Sequence, residues 1–246
     1  MHRFFAPALD PGDDTVDLPR DEAEHLTRVL RLGVGDTVAV FNGRGQECLA
    51  RVVSAARRDA RVHLLSRIEP APESSTRLTL VQAVLKGDKM DDVVRDAVML
   101  GVAAIQPVVT RRTETTVAAV LRGARVERWQ RIALASVKQS RRAVLPEIHI
   151  PLAFETWLEE PPAELQLMCV EPGIDSAERL TVLRTAPAPS SAAIIVGPEG
   201  GWDPAEHAAA RTRHVRLMSL GGRTLRADAV PLAALSVLQF LWDRSC

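Results

Sequence analysis

The stretch that most constrains this chain is Ile194–Pro231, IIVGPEGGWDPAEHAAARTRHVRLMSLGGRTLRADAVP. An apolar run, Ala192–Val196, has the composition of a buried strand and passes straight into Gly197-Pro198-Glu199-Gly200-Gly201. A turn this rich in glycine and proline ends the strand and lets backbone approach something closely. A second apolar run, Val215–Leu220, ends in Gly221-Gly222, with Arg223, Arg226 and Asp228 following before the chain resumes as a helix. Two such bends, each just after a strand, read as two walls of one pocket at the carboxyl edge of a parallel sheet.

The chain upstream falls into two parts. Residues 1–72 read as a separate module: a helix over Asp21–Arg31 with Leu26, Val29 and Leu30 on one face, then β-like runs Thr37–Phe41, Gln46–Ala55 and Arg61–Ile68, with an Asn42-Gly43 turn after the first. A small β-barrel or sandwich with one short helix accounts for this pattern. Glu69–Ser75, with prolines at 70 and 72, reads as a linker. From residue 73 to residue 246 the period changes. Strands over Leu78–Leu85, Ala103–Val109 and Leu165–Val170 alternate with helices over Asp88–Leu100, Arg125–Val137, Phe154–Leu158, Ala177–Thr185 and Leu232–Trp242, which implies a mostly parallel α/β sheet.

The totals exclude more than they select. With 31 basic and 31 acidic side chains the chain is formally neutral, so only a local basic face could meet nucleic acid. One exists in the middle of the sequence, where Lys86–Arg142 holds 12 Lys/Arg against 6 Asp/Glu. Arg111-Arg112 and the Lys138–Arg142 cluster are its best phosphate contacts, and His25, Arg28 and Arg31 could extend the surface onto the first module. The absence of tyrosine argues against a platform of stacked rings. Cys48, Cys169 and Cys246 make neither a disulfide framework nor a zinc site, and the six histidines are scattered, so no metal is expected. No stretch is long and apolar enough for a signal peptide or a membrane span, so a reduced, cytoplasmic setting is expected.

The glycines of 197–201 match neither a dinucleotide fingerprint nor a P-loop. Spacing suggests no Ser-His-Asp or Cys-His pairing either, so the pocket is one that positions an organic ligand and supplies proximity and local electrostatics. Two roles are open to Glu199: accepting a hydrogen bond from a ligand, or capping nearby amides. Three are open to Asp228: fixing Arg226, capping the helix that follows, or meeting substrate.

Taken together, these residues resemble a known family, the RsmE-type 16S ribosomal RNA (uracil-N3)-methyltransferases of the SPOUT superfamily. The resemblance runs from Met1-His2-Arg3-Phe4-Phe5 through Glu24-His25-Leu26, Val29-Leu30-Arg31, Lys86-Gly87-Asp88-Lys89-Met90, Leu100-Gly101-Val102 and Gln139-Ser140 with Arg142 to Gly197–Gly201 and Leu220–Arg226. Where the family reads Leu-Arg-Thr-Glu-Thr-Ala, this chain reads Leu225-Arg226-Ala227-Asp228-Ala229-Val230, with the acid one methylene shorter and two hydroxyls gone.

The resemblance implies a small amino-terminal PUA-like β-barrel that binds RNA, and a carboxyl-terminal SPOUT-type trefoil-knotted parallel sheet with helices on both faces. It also implies a homodimer, S-adenosylmethionine as cofactor, and 16S ribosomal RNA of the small subunit, or of a late assembly intermediate, as partner. The cofactor would lie against Val196, Gly197, Glu199, Gly200, Gly201, Leu217, Leu220, Gly221 and Leu225, the three leucines lining the adenine slot. Arg3, His25, Arg28, Arg31, Lys86, Lys89, Arg112, Gln139 and Arg142 would meet RNA. Arg226 and Asp228 would act at the target base.

Overall fold

The computed structural model describes residues 1–10, 12–56, 58–175 and 177–242, so Cys246 lies outside the described residues. The chain divides into two units: Met1–Glu73 with Val137–Leu145, and Ser74–Ser136 with Pro146–Cys246.

The first unit is built on five strands: β1 (Arg3–Phe5), β2 (Thr15–Leu18), β3 (Thr37–Phe41), β4 (Glu47–Ala56) and β5 (Asp59–Ile68), in the order β1-β3-β4-β5-β2. The pairing of β1 with β3 is parallel and the rest are antiparallel. The β3–β4 hairpin turns where Gly43 adopts φ +75°, and Asn42 Oδ1 accepts from the Arg44 and Gln46 amides at 2.8 and 3.2 Å. Phe4, Leu9, Val16, Leu18, Val38 and Val40 share one core with Leu26. The helix expected over residues 21–31 is not continuous: α1 (Arg20–Glu24) gives way to a π-helical turn at His25–Val29, closed by Leu30 N–H donating to His25 O at 3.0 Å. That wider turn takes Val29 off the inward stripe, so Leu26 is fully buried while Val29 is 66% exposed.

Residues 137–145 belong to this unit through backbone chemistry that no short-range pattern announces. The last carbonyls of a helix lack partners within it. Here Arg3 supplies them, donating to Val137 O and Lys138 O at 2.9 Å each and to Arg142 O at 2.8 Å. Its remaining donors form a two-point pair with Glu47 at 2.8 and 2.9 Å, and its guanidinium lies 4.7 Å from the Phe41 ring centroid. Gly45 N–H donates to Ala143 O and Leu145 N–H to Gly43 O, stitching the segment to the hairpin.

The second unit holds a sheet of eight strands: β6 (Arg77–Ala83), β7 (Ala104–Val109), β8 (Glu147–Ile148), β9 (Leu152–Ala153), β10 (Leu165–Cys169), β11 (Glu178–Arg179), β12 (Ser191–Val196) and β13 (Arg216–Ser219). Their order is β11-β13-β10-β12-β6-β7-β8, with β9 also on β7, and every pairing is parallel. The helices of this span are α2 (Lys89–Met99), α3 (Val117–Arg122), α4 (Arg125–Ser140, whose end from Val137 groups with the first unit), α5 (Phe154–Trp157), α6 (Pro204–Thr212) and α7 (Ala229–Trp242). In α2 the inward stripe Met90, Val93, Val94, Ala97 and Val98 is buried as its spacing requires.

The helix expected over Ala177–Thr185 is instead β11 and a 3-10 turn, Leu180–Arg184. Glu178 is drawn to the sheet edge by a two-point pair with Arg216 of β13, at 2.9 and 2.7 Å. Helix α6 was not anticipated, although Asp203-Pro204-Ala205-Glu206 is a capping box with proline at the first turn.

The SPOUT-type trefoil-knotted sheet with a β-barrel, implied by resemblance, is corrected here. Among the described residues the amino-terminal sheet is open, with β1 and β2 as its two edges, and so is not a closed barrel. The carboxyl-terminal pairings establish an open parallel α/β sheet, and this, without a knot, is the fold that the strand order supports.

What the order does fix is a switch. β10 lies between β12 and β13, so the chain crosses it in passing from one to the other, and the three carboxyl ends stand side by side. Ligands bind at such reversals in open α/β sheets.

Candidate functional site

A cavity of about 330 Å³ opens at those three strand ends. Its walls are Cys169–Pro172 after β10, Val196–Glu199 with Gly201 and Trp202 after β12, and Leu220 with Arg223–Asp228 and Val230 after β13; Lys89 of α2 completes it.

The bend after β12 is clamped from several sides. Trp202 Nε1 donates to Cys169 O at 2.9 Å, tying the bend to the end of β10. Glu199 Oε1 accepts from Lys89 Nζ at 2.9 Å and from the Lys86 amide at 3.2 Å. Burial alone would raise the Glu199 carboxyl; the Lys89 and backbone hydrogen bonds outweigh it and hold the group below the usual carboxylate value. Of the two roles open to Glu199 the structure realises the capping one, through the Lys86 amide, while the residue also lines the cavity. Arg112 Nη1 donates to Gly200 O at 3.1 Å. Glycine is required here by the protein's own packing: a Cβ on Gly197 would sit 2.9 Å from the Trp202 ring, and one on Gly201, at φ +69°, would sit 2.7 Å from Glu171 Oε1.

The bend after β13 is open. A Cβ on Gly221 or Gly222 would meet nothing within 4 Å. Beyond them Arg226 donates to Asp228 from Nε at 3.0 Å and from Nη2 at 2.8 Å, with 73% of the arginine side chain still exposed. Asp228 thus fixes the guanidinium plane while leaving it presented.

Of the residues expected to hold cofactor, Val196, Gly197, Glu199, Gly201, Leu220 and Leu225 line the cavity, as do Arg226 and Asp228. Gly200 and Gly221 belong to the bends without facing it, and Leu217 is buried among Val81, Met168 and Ile195 in the core beneath. Of the residues expected to meet RNA, Lys89 lines the cavity instead, paired with Glu199. Lys86 and Arg112 are exposed on the second unit, Lys86 paired with Glu114. His25, Arg28, Arg31 and Gln139 are exposed on the first. Arg3 is half-buried and Arg142 buried, the first spent on the contacts above and the second paired with Glu73, so the structure gives both an internal task.

The wall after β10 was missed. Its signal was present, because the largely apolar strand 165–169 runs into Glu171-Pro172-Gly173, the same strand-then-bend grammar on a smaller scale. Cys169, half-buried as a residue, has its thiol enclosed enough that burial pushes it up to about 12, so it is an inert wall atom rather than a nucleophile. Among the described residues no helix is long and apolar enough to cross a membrane, and no group of three or more His, Cys, Asp or Glu could hold a metal ion.

Residues 72–239 match a family described as an RNA methyltransferase domain, and residues 18–65 one described as an RNA methyltransferase PUA domain. The chain is 33% identical over 233 residues to the ribosomal RNA small subunit methyltransferase E of Synechocystis, covering 93% of this chain and 74% of that one. The same-named protein of Mycobacterium tuberculosis is 30% identical over 253 residues, covering 98% and 94%. The crystal structure of a ribosomal RNA small subunit methyltransferase E from Neisseria gonorrhoeae, bound to S-adenosyl methionine, superposes with a TM-score of 0.89 at 32% identity, covering 100% of both chains.

An open parallel sheet with a cavity at its switch point, in a chain whose earlier residues match a PUA domain, defines an RNA methyltransferase, and this pair of domains replaces the knotted sheet and barrel. More narrowly, the chain belongs to the RsmE-type family of 16S ribosomal RNA methyltransferases.

Proposed function

We propose that this chain transfers a methyl group from S-adenosylmethionine to N3 of a uridine in the decoding region of 16S ribosomal RNA, in the cytoplasm. The observation that carries the reading is the convergence of both glycine bends on one cavity whose rim presents the Arg226–Asp228 pair. The cavity fits the cofactor chemically: apolar Val170, Leu220 and Leu225 offer a slot for a flat base, and charges of both signs face the same space.

When bound, S-adenosylmethionine supplies an electrophilic methyl on a positively charged sulfur. The protein's part is to hold the uracil in line with it and to favour its N3 anion. N3 carries a proton, and attack requires its loss, so a fixed positive charge beside the base oxygens lowers the barrier. Arg226 is placed for that task, held in plane by Asp228, whose two carboxylate oxygens it engages. With both its oxygens occupied, Asp228 serves first to orient Arg226 and takes the N3 proton only by way of water.

In the same reading residues 1–72 form the RNA-binding module and residues 73–246 the methyltransferase domain. His25, Arg28 and Arg31 on the first, with Lys86 and Arg112 on the second, supply phosphate contacts; their exposure supports this. The substrate is the small subunit or a late assembly intermediate. A homodimer is supported by α7, whose Leu232, Val237 and Phe240 stay 46%, 42% and 85% exposed.

The test is incubation of undermethylated small subunits with labelled S-adenosylmethionine, followed by mass mapping of the labelled nucleotide. Label on N3 of one 16S uridine is expected. Label on a ribose or in another RNA would sink the site assignment, and cofactor binding with no transfer to any subunit would leave a binding factor instead of an enzyme.

A further inference from the structure

Six charged side chains face the cavity: Lys89, Glu171, Glu199, Arg223, Arg226 and Asp228. Four of them cancel in pairs, Lys89 with Glu199 and Arg226 with Asp228. The remaining two, one acid and one base, make no ion pair or hydrogen bond among the described residues. Glu171 is half-buried, and a carboxylate drawn partly out of water without a partner costs stability unless something else satisfies it. His207, whose titration feels the charge of Glu171, is pushed down by its own burial and so supplies no lasting cation. Glu171 Oε1 lies over Gly201, in the space that any side chain there would enter. Arg223 stands across on the open bend after β13, exposed and uncommitted.

One unmatched carboxylate and one unmatched guanidinium in a single cavity complement a zwitterion. We infer that Glu171 and Arg223 hold the amino-acid end of the methyl donor, Glu171 accepting from its α-ammonium and Arg223 donating to its α-carboxylate. The inference rests on the cofactor reading above and adds which end of the molecule each residue reads. A ribose diol would occupy Glu171 alone and leave Arg223 unanswered, whereas an α-amino acid needs one partner of each sign. The adenosine end then falls to the apolar walls and main chain, and recognition is divided between the two ends of one ligand.

Calorimetric titration of the intact chain with two probes separates the ends. S-Adenosylhomocysteine carries the amino-acid end; 5′-methylthioadenosine shares the adenosine and thioether but lacks it. Glu171→Gln and Arg223→Gln are each expected to weaken S-adenosylhomocysteine about tenfold, as loss of a charge-assisted hydrogen bond does. Binding of 5′-methylthioadenosine should stay within about twofold of wild type. Arg223→Lys, which keeps the charge and loses the fork, should recover part of the loss. Thermal unfolding of each variant reports that the fold is kept. Equal weakening of both probes, or no weakening of S-adenosylhomocysteine, overturns the inference. Failure of the wild-type chain to bind S-adenosylhomocysteine overturns the cofactor reading itself.

Discussion

The two glycine bends read alike in sequence and are built for opposite ends. After β12 the glycines are squeezed by the protein itself: Gly197 lies under Trp202, Gly201 lies under Glu171, and Glu199 is pinned by Lys89 and the Lys86 amide. After β13 Gly221 and Gly222 face open space, and the arginines that follow, Arg223 and Arg226, are exposed at the cavity. The first bend is a finished wall whose shape is settled before any ligand arrives. The second is a wall with its contacts still to be made. Glycine density alone thus says that backbone comes close to something, but not whether that something is protein or ligand.

The largest effect should come from the open bend. Arg226→Ala is expected to lower single-turnover methyl transfer by about 10²–10³-fold, the scale of losing one preorganised electrostatic contact to a developing anion. Cofactor affinity measured by calorimetry should change little. An equally large loss of both would mean that Arg226 builds the cavity, and the contrast between the bends would fail. Next comes the finished wall. Gly197→Ala forces a methyl to within 2.9 Å of the Trp202 ring, so it should cost roughly 1–3 kcal/mol in urea unfolding and weaken cofactor binding along with stability.

A smaller effect concerns the clamp. The Glu199 carboxyl is held below its ordinary value, so in the folded state it releases its proton more readily than in the unfolded chain. Its contribution to stability is therefore fully present above the ordinary carboxylate value and is lost as pH falls through the lowered one. Unfolding midpoints followed from about pH 6 to about pH 3 should fall less steeply in Glu199→Gln than in wild type. Identical slopes would show that the clamp is not what holds the first bend.

Much of this was legible from residues alone. The bends, the strands leading into them and the inward stripe of α2 follow from local rules, since glycine and proline punctuate and apolar spacing marks a face. What was hidden depends on distant partners. Arg3 reads as a basic residue near the amino terminus, and only a contact 134 residues away shows that it closes the end of α4. Val29 fits a helical stripe until a π-helical turn rotates it outward. The strand and bend at residues 165–173 are legible, but not that they wall the cavity, because the position of β10 between β12 and β13 is a matter of strand order, which the period of a sequence does not carry.

The smallest effects sharpen the comparison most, because they set two adjacent glycines against each other within the open bend. Gly221 adopts φ +123°, a conformation that side chains rarely reach, so Gly221→Ala is strained even though nothing crowds it, and it should cost about 1 kcal/mol. Gly222 has neither a crowded neighbour nor a left-handed φ. There a methyl chiefly removes freedom from the unfolded chain, so Gly222→Ala should stabilise by about 0.5 kcal/mol in urea unfolding. Opposite signs at neighbouring positions would show that the second bend keeps Gly221 for its backbone and Gly222 for its emptiness. The corollary is that Gly222→Ala, the more stable variant, should bind cofactor less well if the ligand comes up against that backbone; unchanged affinity would place the ligand's approach elsewhere on the bend.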